Sequence, residues 1–302
     1  MQVERPFAAA VATLASMALL GLIDNLVQLI ARDIGLWQFH LMRAVLAVAI
    51  ILFLAVIGMV RIRPIRHWAV LVRGGFTGLS MLIYFGCLAF LPIGQVAAGL
   101  FTSPIWVMLI SAMFLGKAIG LWRVIAALIG FCGVLIVLDP FRGGFDGLAL
   151  VPVFAGFFYA IGGIATRQWC EGESTFSMLL YFFLSLGVFG LIGVIVLLIW
   201  PQSAPMGAEG FILRGIIWHP SWMSLGLTVV QAVGSIVGVG LIIRGYQLGE
   251  VSHVAIFEYS LLIFAAGWSW LLWGQVPQAQ AVIGIALIIL SGAVISIRSH
   301  RA

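Results

Sequence analysis

Charge is what this sequence lacks most. Only 8% of its 302 residues are Asp, Glu, Lys or Arg, against roughly a quarter in a soluble domain. With 63% of residues hydrophobic, a soluble fold of this size would have too little polar surface to cover itself. The bare apolar faces therefore belong against lipid. Cysteine is nearly as scarce. Cys87, Cys132 and Cys170 are widely spaced and form no paired motif, which argues against disulfides and thiolate metal sites. The five histidines (His40, His67, His219, His253 and His300) are scattered. The sequence has no His-Glu-x-x-His helix, glycine-framed serine elbow or Gly-x-x-x-x-Gly-Lys loop. An intramembrane enzyme and an ATP-driven pump are thereby disfavoured, and neither metal nor cofactor is expected.

What the sequence has is long apolar runs. Spanning a bilayer core takes about 20 helical residues, and ten such runs can be read, bounded by Gly, Pro or charge. They cover 7–29, 38–58, 68–91, 93–115, 121–138, 147–168, 175–199, 222–246, 251–274 and 279–297. The first continues too far for a cleavable signal peptide. Helix is required because open strands leave backbone groups unpaired in lipid. The 36 glycines suit close helix packing in a membrane. Trp68, Trp200, Trp218 and Trp222 fall near run ends, as interfacial anchors do.

A net charge of +5 could suggest nucleic acid, but the basic residues stand singly or in short groups between apolar runs. With the N-terminus inside, the inner segments hold Arg5, Arg61, Arg63, Arg66, Arg73, Lys117, Arg123, Arg167, Arg244, Arg298 and Arg301. The outer segments hold only Arg32, Arg142 and Arg214. This positive-inside bias puts both termini in the cytoplasm, which an even number of spans requires. A bacterial inner membrane is the expected location, with bilayer lipid around the chain, a small-molecule substrate and no nucleic-acid partner. Monomer and homodimer both remain open.

The chain also looks repeated. Phe90-Leu-Pro-Ile-Gly94-Gln-Val resembles Tyr246-Gln-Leu-Gly249-Glu-Val, and Phe114-Leu-Gly116 answers Leu272-Trp-Gly274. Two repeats of five spans, 1–145 and 146–302, must insert with opposite orientation. Inverted repeats typically enclose a binding site near the bilayer midplane. The expected fold is all-α, with ten transmembrane helices as two inverted five-helix repeats around a central cavity. By this repeat offset, Ser103-Pro104 corresponds to Glu258-Tyr259. Pro104 also removes a helical hydrogen bond within the fourth span.

Ionisable residues inside spans are costly and mark function by default. Asp24 and Arg43 lie at similar depth, about 8 Å from the outer ends of successive helices, so a pair is natural. It could fix two helices or bind and gate a substrate. Glu258 lies about 10 Å in from the cytoplasmic side, with no basic residue obviously matching its depth. It could carry a proton, bind a substrate amine or simply pack; His253 nearby suits the interface. Asn25, Gln28, Gln38, His40, Tyr84, Trp106, Tyr159, Gln231 and Tyr259 could line a solute cavity. The candidate binding or coupling set is Asp24, Arg43, Glu258, Tyr259, Gln231, Tyr84, Ser103, Trp106 and Asn25, with proton coupling a corollary of Glu258.

Several stretches carry a family resemblance. They are Leu22-Ile-Asp24-Asn25, Gln38-Phe-His-Leu-Met-Arg43, Phe101-Thr-Ser-Pro104, and Phe257-Glu258-Tyr259 followed by Gly284 and Ser291-Gly292. Over essentially its whole length the chain resembles the ten-span EamA-like branch of the drug/metabolite transporter superfamily. The resemblance implies an inverted-repeat helical basket and gradient-driven transport, with some relatives linked to S-adenosylmethionine uptake and others to amino-acid export. Lys117 and Gln275 depart from it, standing where the family often has an acid. The expectation is a secondary transporter working by alternating access on a small zwitterionic or amphipathic metabolite, amino-acid-like or S-adenosylmethionine-like. Sparse buried charge argues against a multiply anionic substrate. A flippase for lipid or lipid-linked substrates is the alternative.

Overall fold

A computed structural model describes residues 5–87, 91, 93–116, 120–139, 147–205, 210–276 and 278–299. Phe90 and Pro92 of the expected repeat, Lys117, Arg142, His300 and Arg301 lie outside them. The described residues form helices and no strands. In chain order they are α1 (Pro6–Ile30), α2 (Leu36–Val56), α3 (His67–Cys87), α4 (Ile93–Leu100), α5 (Ser103–Phe114), α6 (Leu121–Leu138), α7 (Val151–Gln168), α8 (Thr175–Ile199), α9 (Trp222–Leu248), α10 (Val251–Phe257), α11 (Ser260–Trp273) and α12 (Ala279–Ser299). One 3-10 turn, Gly147–Leu150, leads into α7.

Among the described residues, eight segments are long and apolar enough to cross a membrane, counting Val96–Phe114 and Val251–Trp273 as one each. The apolar stretch Ala279–Val294 is shorter. Many helices expose an apolar face: Leu184, Val188, Leu191 and Ile195 on α8, and Val229, Val233 and Val237 on α9. Faces of this extent fit a lipid surround. Trp68, Trp200, Trp218 and Trp222 are all exposed.

Two expected spans are interrupted, and hydrogen bonding shows how. At Phe101–Thr102 the Thr102 amide donates to Gly99 and Ile105 to Thr102, three residues back rather than four. Pro104 lies in the first turn of α5 and has no amide to offer the preceding turn. At Glu258–Tyr259 the same tightening recurs: Tyr259 donates to Ile256, Leu261 to Glu258 and Leu262 to Tyr259. Short 3-10 turns inside helices often mark hinges. Both expected spans thus carry a 3-10 step, one at Phe101–Thr102, just before Ser103–Pro104, and one at Glu258–Tyr259.

The helix contacts have an order of their own. α6 packs on α12 and α2 on α8; α1 packs on α9 and α11, and α3 and α5 pack on α7. Exchanging α1–α6 with α7–α12 turns α1–α9 into α3–α7 and α1–α11 into α5–α7, and returns α6–α12 and α2–α8 to themselves. Between α6 and α12, a methyl on Gly133 would stand 2.7 Å from the Gly284 carbonyl oxygen, and one on Gly284 2.6 Å from that of Gly133. Only glycine permits this approach. Nearby, Ser291 Oγ donates to the Ala126 carbonyl at 2.6 Å.

Both ends of the bundle are stitched by polar contacts. At the end holding the α2–α3 and α7–α8 connections, Glu173 accepts the Ile65 amide at 2.8 and 2.9 Å and the Arg66 amide at 2.6 Å. Arg123 and Glu250 form an ion pair there. At the other end, residues 210–221, part of the longest connection, dock against the α1–α2 turn. Trp37 Nε1 donates to the Ile212 carbonyl at 2.8 Å. Gln38 exchanges two 2.8 Å bonds with the Ile217 backbone, and Arg214 donates to the Ala31 carbonyl at 2.8 Å. Phe211 packs with Phe39, Phe85 and Ile34, forming an apolar plug over this end.

A charged central cavity

A cavity lies at the centre, lined from α1–α5, α7–α9, α11 and the two interruptions. Among the described residues, none from α6 or α12 lines its wall. Met17, Leu20, Phe101, Phe182, Val239 and Leu261 make much of it apolar. Four ionisable groups stand among them: Asp24, Arg43, Arg73 and Glu258. Two carboxylates and two guanidiniums give no formal excess of charge.

The four divide into two stations. Asp24 is six residues from the end of α1, and Arg43 seven residues into α2, so each lies about 9–10 Å from the plugged end. They are within electrostatic reach of each other, but the direct pair expected from sequence does not form; among the described residues Arg123–Glu250 is the only ion pair. Arg43 is held instead by its neighbours. Its Nη2 donates to His40 Nδ1 at 3.2 Å, and its guanidinium lies 4.9 Å from the Phe39 ring centroid and 5.9 Å from that of Phe85. This leaves Asp24 facing the cavity without a hydrogen bond, beside Tyr84.

At the second station, Glu258 is 4% exposed. Its Oε1 accepts the hydroxyls of Tyr159 and Tyr246, each at 3.0 Å. Glycine makes room for one of them: a methyl on Gly163 would sit 2.9 Å from Tyr246 Cζ. Arg73, which sequence reasoning assigned to the cytoplasmic charge bias, is buried here within α3 at 3% exposure. Its Nε donates to Thr166 Oγ1 at 3.0 Å.

Of the candidate residues, Asp24, Arg43, Tyr84, Ser103 and Glu258 line the cavity. The other four lie behind its wall. Tyr259 is fully buried, its ring against Gly130 and its hydroxyl 3.5 Å from the Ala127 carbonyl. Gln231 ties α9 to the Ile23 carbonyl of α1. Asn25 Nδ2 donates to Gly21 at 2.8 Å and Ala265 at 3.2 Å, and Trp106 stacks edge-on to Phe157 with centroids 5.2 Å apart. Sequence reasoning missed Arg73 and Tyr246. Their only signal was a polar group more than one turn inside an apolar run (Arg73) or close to its end (Tyr246).

Comparison with known proteins agrees with this architecture. A solved crystal structure superposes with a TM-score of 0.78 at 16% identity, covering 97% of this chain and 98% of that one; this speaks to fold alone. The pseudopaline exporter of Pseudomonas aeruginosa is 28% identical over 222 residues, 73% of this chain and 72% of that protein. The riboflavin transporter of Vibrio cholerae is 28% identical over 227 residues, 75% of this chain and 70% of that one. The S-adenosylmethionine uptake transporter of Rickettsia bellii is 21% identical with the same coverage. The EamA-like transporter family matches the chain twice, over residues 7–139 and 147–297. This membrane protein therefore belongs to the EamA-like transporter family, within the drug/metabolite transporter superfamily.

Proposed function

We propose that the chain is a secondary active transporter that carries a small zwitterionic or amphipathic metabolite across the bacterial inner membrane by alternating access. The observation that carries this reading is the central cavity, where two acidic and two basic side chains stand in apolar walls between helices from both halves of the chain. Charges at that depth are retained where they serve a solute or ion.

The membrane arrangement is ten spans in two inverted repeats, 1–145 and 146–302, with both termini cytoplasmic. Two observations support it. The helix contacts map onto one another when the halves are exchanged, as a pseudo-twofold axis requires. The Ser291–Ala126 contact likewise maps onto Gly133–Gly284 when α12 is laid on α6 from their first residues. The 3-10 turns at Phe101–Thr102 and Glu258–Tyr259 then face the cavity as the paired breaks of discontinuous helices. Moving Arg73 from the surface into the core takes one charge from the inner count, and the inner excess stays large.

Glu258, held by two tyrosines, is the coupling residue, exchanging a proton as the cavity changes its exposure. Asp24 and Arg43 bind the polar end of the substrate nearer the plug. The substrates named for the relatives, riboflavin and S-adenosylmethionine among them, set the size range. Flux of radiolabelled amino acids, S-adenosylmethionine and riboflavin into proteoliposomes, with and without an imposed proton gradient, tests the reading. Glu258→Gln and Arg43→Ala should each abolish flux at unchanged membrane insertion. Full flux in either variant at equal expression removes that residue from the mechanism.

A further inference from the structure

We propose that Arg73 is the anchor for a carboxylate carried by the substrate. The inference rests on the transport reading and narrows it to monocarboxylates, zwitterions included.

Arg73 is buried, lines the cavity and stays charged in any protein setting. Its Nε is spent on Thr166, but Nη1 is buried with no hydrogen-bond partner. No carboxylate pairs with it, since the one ion pair among the described residues is Arg123–Glu250. A buried guanidinium left uncompensated is strongly unfavourable, so a partner anion would be held firmly. Arg43 also has a buried nitrogen without a hydrogen-bond partner, Nε, but His40, two phenyl rings and the nearby Asp24 share its charge. Arg73 has the unmet half of a fork that matches a carboxylate.

The surroundings limit the anion to one charge. Tyr159 and Tyr246 lie within electrostatic reach of Arg73, and both donate to Glu258. A dianionic phosphate here would set two negative charges near Glu258 against one guanidinium. A single carboxylate balances Arg73, and Glu258 suits a cation on the same molecule. An α-amino-acid moiety meets both demands; riboflavin, which has no carboxylate, meets neither.

The test uses purified full-length protein in nanodiscs and in proteoliposomes. The twenty protein amino acids, S-adenosylmethionine, lactate and riboflavin are titrated by thermal shift, and each acid that binds is titrated again as its methyl ester. The binders should be carboxylates, and esterification should weaken them about tenfold or more. Arg73→Gln should bind acid and ester alike, and Arg73→Lys should recover part of the preference. Size-exclusion profiles and melting temperatures establish that both variants fold; if Arg73→Gln does not, the acid–ester difference in wild type and Arg73→Lys decides. Esters binding as well as acids would overturn the anchor, as would acid affinity unchanged in Arg73→Gln. Riboflavin flux equal in wild type and Arg73→Gln would overturn the anchor and leave the transport reading standing. No binding and no flux for any compound would overturn both.

Discussion

The hydroxyls of Tyr159 and Tyr246 both reach the same oxygen of Glu258, at 3.0 Å each. They come from α7 and α9 and meet at the interruption between α10 and α11, so three elements converge on one carboxylate oxygen. Because the donors share an acceptor, their contributions cannot be independent. Tyr159→Phe and Tyr246→Phe should each lower stability by about 1–3 kcal/mol. The double variant should depart from additivity by about 0.5 kcal/mol or more in a thermal-unfolding cycle. Strictly additive losses would mean that the two hydroxyls act on separate partners.

Gly163 keeps Tyr246 in place. Gly163→Ala puts a methyl 2.9 Å from the Tyr246 ring. It should cost about 1–3 kcal/mol and reduce flux by displacing the hydroxyl from Glu258. Gly75→Ala in α3 meets nothing within 4 Å and should be neutral or stabilising by up to about 1 kcal/mol. Melting temperatures of the two variants, measured side by side, check the contrast.

The α6–α12 seam depends on the absence of side chains at its crossing. Gly133→Leu should force the two helices apart and lower the melting temperature by several degrees. It should not change the cavity wall, to which no described residue of either helix contributes. A variant with wild-type stability would show that the seam can part without cost.

Docking of the 210–221 segment should depend on pH through Asp33, outside the spans. Partial burial works to raise its carboxyl, but hydrogen bonds from the Ser221 hydroxyl and amide and from Ser224, with Arg214 near, hold it below its ordinary value of 3.8. A carboxylate lowered on docking contributes in full above 3.8 and loses its contribution as pH falls through the docked value. Protection factors of residues 210–221, with the intrinsic pH dependence of amide exchange divided out, should therefore be flat from neutral down to about pH 5 and lower in Asp33→Asn. Equal protection in the variant would separate the ion from the docking.

The spans were readable because a bilayer demands long apolar runs, and α1, α2, α8 and α9 begin and end within a few residues of the expected limits. Asp24, Arg43 and Glu258 were readable because charge inside such a run is rare. Arg73 was hidden by its type: on sequence, an arginine near a run's cytoplasmic end looks like a topology signal, and only packing against α7 and α8 shows it buried. Tyr259 was misleading for the opposite reason. It neighbours Glu258, but successive helical side chains point about 100° apart, which turns its ring towards Gly130 and away from the cavity. The 210–221 segment has no apolar period, and its role lies in backbone carbonyls offered to Trp37 and Gln38.

Access to the cavity from both membrane faces tests the central claim most directly. Ser103, buried on the cavity wall, is changed to cysteine in a background with Cys87, Cys132 and Cys170 replaced. A membrane-impermeant maleimide is then applied from each side of oriented vesicles. Labelling from either side, slowed by a transported solute, is the predicted result. Labelling from one side only, whatever solute or gradient is present, would contradict alternating access.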